Sequence, residues 1–272
     1  MNNLVIGSSG FIGKSLCEYL EKNGETVFPL DIKNHRLDDA RYITLPLSYI
    51  DRVYFLAWDV GGAKYLYDQN NQLTQLEWNI QLFMNIIPQL QYKRTKFIFV
   101  SSQLSDNPDS VYGVTKKLGE IWTNLVGGII IRLWNIYGPY EDATVRSHVI
   151  GDFIHQALSN GHINMMTNGK ERRQFIHIDD LTFIMKDLMD RNNNGMFDIT
   201  TQKWISVYKI AKIISKITGC TILRGSNRGA ETMVDPKHLP QNWTPQIQIY
   251  EGLERTINEY RNSCTTSGII TN

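Results

Sequence analysis

The chain has 272 residues, 42% of them hydrophobic, and its 28 Lys and Arg side chains balance 27 Asp and Glu to a formal charge of +1. That length buries a sizeable core, in one large domain or a main domain with a smaller one, and the balance offers no electrostatic case for nucleic acid or a membrane surface. No apolar run is long enough to span a bilayer, the first residues lack a secretion signal, and Cys17, Cys220 and Cys264 have no metal-ligand spacing, so a reduced cytoplasmic setting without a metal is expected.

The first element is a strand over Asn3 to Ile6, leading into Gly7, Gly10 and Gly13 and then a helix from near Lys14 to Asn23. The spacing suits a dinucleotide: Gly7 for the tight turn, Gly10 for close approach of a pyrophosphate, Gly13 for helix-to-sheet packing, with the helix start favouring phosphate. A glycine-rich turn can also be no more than a tight connection. The next strand, Thr26 to Leu30, ends in Asp31 at the distance where a carboxylate meets the adenosine ribose. That carboxylate repels a ribose 2′-phosphate and favours NAD, while Lys33 and Arg36 keep NADP open.

Further strands are expected at Tyr42 to Leu45, Arg52 to Leu56, Lys96 to Val100 and Gly128 to Leu133, with helices at Thr74 to Leu90 and Val111 to Leu125. This alternation predicts an α/β, Rossmann-type, doubly wound parallel sheet. After Tyr137 the rhythm changes to helices at Val149 to Ser159, Leu181 to Asp190, Val207 to Thr218 and Tyr250 to Arg261 with short strands between. Residues 1–140 are expected to form the dinucleotide domain, rejoined by a stretch near 175–200; residues 141–262 form a smaller C-terminal substrate-binding portion and 263–272 a flexible tail.

Tyr112 and Lys116 open the helix that starts at Val111. Four residues apart, they share one helix face, where an ammonium beneath the phenol lowers its pKa from about 10 towards that of a usable base. Ser102 ends a strand at the carboxyl edge of the sheet, where ligands of open α/β sheets bind, and its hydroxyl can steady a substrate oxygen. A Tyr-x-x-x-Lys pair also arises by chance on surface helices. Its place after the Ser101-Ser102 strand, downstream of the glycine turn, favours catalysis.

With these features come Leu56-Ala57-Trp58, Asn79, the run Arg132-Leu133-Trp134-Asn135-Ile136-Tyr137-Gly138-Pro139, the run Arg172-Arg173-Gln174-Phe175-Ile176-His177-Ile178-Asp179-Asp180, Arg228-Gly229-Ala230-Glu231 with Asp235, and Trp243-Thr244-Pro245. In this order the segments resemble the extended short-chain dehydrogenase/reductases of the nucleotide-sugar epimerase and dehydratase type, along nearly the whole chain. The resemblance implies NAD or NADP exchanging a hydride at a sugar carbon, usually carbon 4, on a nucleotide-diphosphate sugar. It also implies that Phe11, Ile12, Ile32, Leu56, Ala57 and Trp58 line the cofactor with the glycines and Asp31. Tyr112 would move the hydroxyl proton, Lys116 bridge the nicotinamide ribose and Ser102 steady the sugar oxygen. Gln103, Asn135, Arg173 and Arg228 would meet the substrate, the arginines as forked phosphate donors. For Arg172, Arg173 and Arg228 the alternative is solvated surface charge, and His177 and Asp179 are expected to shape the local fold.

Departures from the family pattern narrow the chemistry. Dehydratases carry an Asp-Glu pair where this chain has Gln103 and Leu104, and no cysteine lies between Cys17 and Cys220 to serve 3,5-epimerisation. A 4-epimerase or a 4-ketoreductase remains, the latter consistent with the short Ser102 to Tyr112 interval. The alternative from another class is a non-catalytic dinucleotide-binding sensor or scaffold. Gly61-Gly62-Ala63 is either a flexible loop or a feature of enzymes acting on GDP-linked sugars, and Asp38 or Asp39 is a candidate for the adenine. Helices Thr74 to Leu90 and Val111 to Leu125, with Leu82, Phe83, Ile86, Leu118, Ile121 and Trp122, would pair in a homodimer or pack on their own sheet.

Overall fold

The computed structural model describes residues 1–107, 109–139, 146–191, 194–231 and 233–266. Its centre is a six-stranded sheet in the order β2-β1-β3-β4-β5-β9, from β1 (Asn2–Ile6), β2 (Thr26–Leu30), β3 (Arg52–Phe55), β4 (Lys96–Ser102), β5 (Ile129–Leu133) and β9 (Gly195–Ile199). Every pairing is parallel, with Ile6 opposite Phe55, Phe55 opposite Phe99 and Ser102 opposite Leu133. Alternate side chains point to opposite faces. Val5, Tyr54, Ile98 and Ile131 therefore join one core with Leu16 and Leu20 of α1 (Phe11–Lys22) and Ile184 and Leu188 of α6 (Ile178–Asp190). Ile6, Val53, Phe97 and Phe99 join the other with Leu82, Phe83 and Ile86 of α3 (Gln69–Lys93). Burial on both faces explains the continuous apolar strand sequences.

The sheet ends at β2 because the expected strand Tyr42 to Leu45 does not form. Leu45 and Leu47 are buried, but α3 satisfies the backbone of this segment: Gln89 Oε1 accepts from the Leu45 N–H at 2.8 Å and Asn85 Nδ2 donates to the Ala40 and Ile43 carbonyls. The apolar pattern there records burial beneath a loop, not strand pairing. Pro29, exposed within β2, lacks the N–H that another strand would need, as befits an edge.

The C-terminal half builds a third core from α5 (Val149–Asn160), α7 (Val207–Thr218) and α8 (Ile249–Thr266). Around it lie a three-stranded sheet, β10-β8-β6 (Trp204–Ser206, Arg172–His177, Asn135–Tyr137), and a pair, β11-β7 (Thr221–Leu223, His162–Asn164). Helix α8 continues to Thr266, into the segment expected as a tail, and residues 267–272 lie outside the described residues. No described helix is long and apolar enough to cross a membrane. Among the described residues no three His, Cys, Asp or Glu side chains gather to hold a metal.

Candidate active site

The glycine turn carries the geometry its spacing predicts. Gly7 has φ +93°, and a Cβ there would lie 2.6 Å from the Ala57 nitrogen; one on Gly13 would lie 2.1 Å from the Gly7 carbonyl oxygen. Gly10 differs: its backbone is extended, and an added Cβ meets only the Gly7 oxygen at 3.4 Å. The protein's own packing does not demand a glycine there, whereas close approach of a phosphate does. No side chain caps α1 at Gly10, so its first-turn amides turn a positive end to the crevice. Asp31 reaches the same turn, accepting from the Ser9 N–H at 3.0 Å and the Lys33 N–H at 2.8 Å. Cradle, helix start and carboxylate together fit a dinucleotide. Asp39, one candidate for the adenine, instead takes both carboxylate oxygens to the Arg41 guanidinium.

Ser102, Tyr112 and Lys116 come together at the carboxyl end of β4. Tyr112 lies in the first turn of α4 (Val111–Leu125), which Ser110 caps by accepting from the Gly113 N–H. Ser102 starts a 3₁₀ turn (Gln103–Asp106), its Oγ accepting from the Leu104 N–H at 3.2 Å, and Gln103 is half-buried in that turn. The short interval is possible because Gly113 lets the turn press against α4: a Cβ there would fall 2.2 Å from the Leu104 carbonyl oxygen.

The electrostatics correct one expectation. Burial pushes the Tyr112 phenol up to about 12, and its hydrogen bond with Ser102 pulls only part of the way back. Lys116 is not the cause of any lowering. Its Nζ donates to the Val100 carbonyl at 2.6 Å and lies 3.9 Å from the centre of the Trp58 ring and 5.7 Å from that of Tyr112. Burial draws the lysine well below its ordinary value, with Glu120 opposing.

Two polar clusters missing from the sequence reading flank these residues. Behind α4, Arg132 of β5 grips Glu120 through Nε and Nη2 at 2.7 Å each and Asp106 of the 3₁₀ turn at 3.0 and 3.1 Å, while Ser101 donates to Glu120 at 2.6 Å. This ties the end of β4 to α4. In front, the loop after β3 is clasped by Arg146, which donates to Asp59 Oδ1 and the Tyr65 hydroxyl at 2.8 Å each; Tyr65 in turn donates to Asp59 Oδ2 at 2.7 Å. Asn79 holds both backbone groups of Asp59. Gly61 and Gly62 owe their lack of side chains to this clasp, since a Cβ on Gly62 would sit 2.2 Å from the Ser147 carbonyl oxygen. Tyr65 and Leu66, at the end of the short α2 (Ala63–Leu66), pack with Tyr112, Trp58 and Leu104, so the clasp walls the phenol.

On the C-terminal side, Asn135 Nδ2 donates to the Gln174 carbonyl at 3.0 Å, and Arg173 donates to the Arg172 and Ala230 carbonyls. Arg172 pairs with Glu231 at 3.0 Å, and Arg228 is exposed nearby, acting on the same carboxylate. The two arginine-bearing segments thus meet across one loop. His177 stays structural in its contacts, capping α6 by accepting from the Asp179 N–H and packing edge-on against Tyr137.

Known proteins place this geometry in context. The chain is 26% identical to a putative UDP-glucose 4-epimerase of Methanocaldococcus jannaschii, covering 97% of this chain and 99% of that one. It is 23% identical to UDP-glucuronic acid decarboxylase 1 of Arabidopsis thaliana, covering 95% of this chain and 69% of the other. Its fold matches a UDP-glucuronic acid 4-epimerase variant from Bacillus cereus, solved with UDP-4-deoxy-4-fluoro-glucuronic acid and NAD, at TM-score 0.82 and 21% identity over 97% of this chain and 100% of that one. A family model described as "NAD dependent epimerase/dehydratase family" matches residues 3–199, and with the glycine crevice, the parallel sheet and this coverage the chain belongs to that family.

Proposed function

We propose that the protein binds NAD in the glycine crevice and acts on the sugar of a nucleotide-diphosphate sugar as a 4-epimerase or 4-ketoreductase, with Tyr112 as the acid/base. NAD when bound supplies hydride transfer; the protein supplies position, proton movement and charge. The reading is carried by one observation: Tyr112 is buried on a rigid helix start beside Ser102, with the Lys116 amine below its ring. Ser102 would hold the sugar oxygen, Tyr112 would exchange its proton at the phenolic oxygen, and Lys116 would help hold the ribose of NAD. Asn135, Arg173 and Arg228 hold the diphosphate. The relatives carry different activities, so the choice of reaction rests on this chain's own residues. Gln103 and Leu104 lack the acid and base that dehydration needs.

Absorbance of the reduced nicotinamide separates the two activities. A reductase oxidises added reduced cofactor stoichiometrically with a 4-keto-sugar nucleotide, whereas an epimerase retains its cofactor and interconverts two alcohols without net change. If no UDP- or GDP-sugar, as alcohol or as ketone, changes either absorbance or stereochemistry, the proposal fails.

A second reading, a dinucleotide-binding sensor or scaffold, is favoured by the burial of Tyr112 and by Lys116 giving its hydrogen bond to the Val100 carbonyl, an arrangement in which burial holds the phenol above its ordinary value. Binding of NAD by calorimetry without turnover across that panel supports it.

The assembly we propose is a homodimer. Val114, Leu118, Ile121 and Leu125 form one exposed stripe along α4, and Leu73 and Met84 are exposed on the adjacent α3. Leu82, Phe83 and Ile86 instead belong to the sheet core.

A further inference from the structure

We propose that Trp58 is a positioning residue for Lys116: its indole face holds the ammonium in charged form beneath the catalytic phenol, a role that rests on the Tyr112 and Lys116 reading above. The lysine Nζ lies 3.9 Å from the Trp58 ring centre and 5.1 Å from that of Phe99, and its hydrogen bond goes to the Val100 carbonyl. Lys116 is only 3% exposed, so water contributes little to its solvation.

The carboxylates around it are committed elsewhere. Glu120, on the same helix, is shared by Arg132 from β5 and Ser101 from β4, with Lys117 3.4 Å away. Asp106, from the 3₁₀ turn, pairs with Arg132 and Lys117. Asp59, next to Trp58, is taken by Arg146 and Tyr65. Tyr112 carries no charge until it gives up its proton. Among the described residues no carboxylate pairs directly with Lys116. The π face then joins the Val100 carbonyl in preferring the ammonium to the neutral amine, with Glu120 acting from further off, since the ring quadrupole attracts a cation and desolvation strengthens the attraction.

The indole is itself fixed. It stacks on Phe83 at 5.9 Å and 20°, meets Phe99 edge-on at 5.4 Å and tilts against Phe55 at 6.1 Å. Asn79 clamps the backbone of the next residue. A ring held by three others sets where the ammonium rests as well as its charge.

The test is nuclear magnetic resonance of protein labelled with ¹³C at the lysine ε-carbons, with the Lys116 signal identified by its loss in Lys116→Met. In Trp58→Leu the signal loses its ring-current displacement, and its titration midpoint falls by about one pH unit, the tenfold change in proton affinity expected of a desolvated cation–π contact. Trp58→Phe keeps a smaller, weaker π face and most of the packing, so its midpoint falls by less. A Trp58→Phe midpoint at or above that of the unsubstituted protein, or a folded Trp58→Leu with an unchanged midpoint, overturns the proposal. The measurement needs neither substrate nor turnover, so its failure is distinct from failure of the catalytic reading.

Discussion

At the scale of single residues, the three glycines of the first turn look alike in sequence but do different physical jobs. Gly13 is fixed by protein packing, with backbone 2.1 Å from where a Cβ would stand, while Gly10 has ordinary contact distances around that point. Gly13→Ala is therefore expected to cost about 1–3 kcal/mol of stability through overpacking, read by urea unfolding. Gly10→Ala leaves stability nearly unchanged and weakens NAD binding by calorimetry. Equal effects of the two substitutions on stability would contradict this division. Tyr112, Lys116 and Ser102 were legible because local spacing placed them: one helix turn separates the first two, and the third closes a strand. Their electrostatics were not, because burial and the Trp58 and Val100 partners of Lys116 come from elements distant in sequence.

At the scale of elements, α4 follows its expected limits because Ser110 caps it and a single amphipathic face runs its length. The strand at Tyr42 to Leu45 failed because buried apolar residues alone cannot tell a strand from a loop pinned by Asn85 and Gln89. The Arg146 clasp was invisible for a related reason: Arg146 and Asp59 are 87 residues apart. Glu120 continues the Tyr112 and Lys116 face, yet its role appears only when Arg132 arrives from β5. Burial raises the Glu120 carboxyl, but bonds from Arg132 and Ser101 outweigh it and leave it below the ordinary value. Its stabilising contribution is thus fully present above the unfolded pKa of about 4.3 and is lost as pH falls through the lower folded value. Glu120→Gln should cost about 3 kcal/mol at neutral pH, because it leaves the buried Arg132 with only the more exposed Asp106 carboxylate to balance it. Urea titrations on acidification should show that difference shrinking; a gap that stays constant to low pH would refute the ion-pair account.

At the scale of the whole molecule, the parallel sheet brings the glycine turn, the end of β4 and the start of α4 to one edge, and the C-terminal sheet carries Asn135 and Arg173. The alternation of strands and helices made that sheet legible; the pairing of β6 with β8 and of β7 with β11 was not, because β6, β7 and β11 have three residues each and leave little periodic signal. The exposed α4 stripe predicts a dimer by light scattering, converted to monomer by Ile121→Glu. The central claim, a proton exchanged by Tyr112 at a sugar hydroxyl beside bound NAD, is tested most directly by comparing Tyr112→Phe with the unsubstituted protein for NAD affinity and for turnover of nucleotide sugars. Removal of the hydroxyl is expected to lower turnover about 10²- to 10⁴-fold while NAD affinity stays within about twofold, since no cradle contact is touched. Undiminished turnover in Tyr112→Phe would contradict the account.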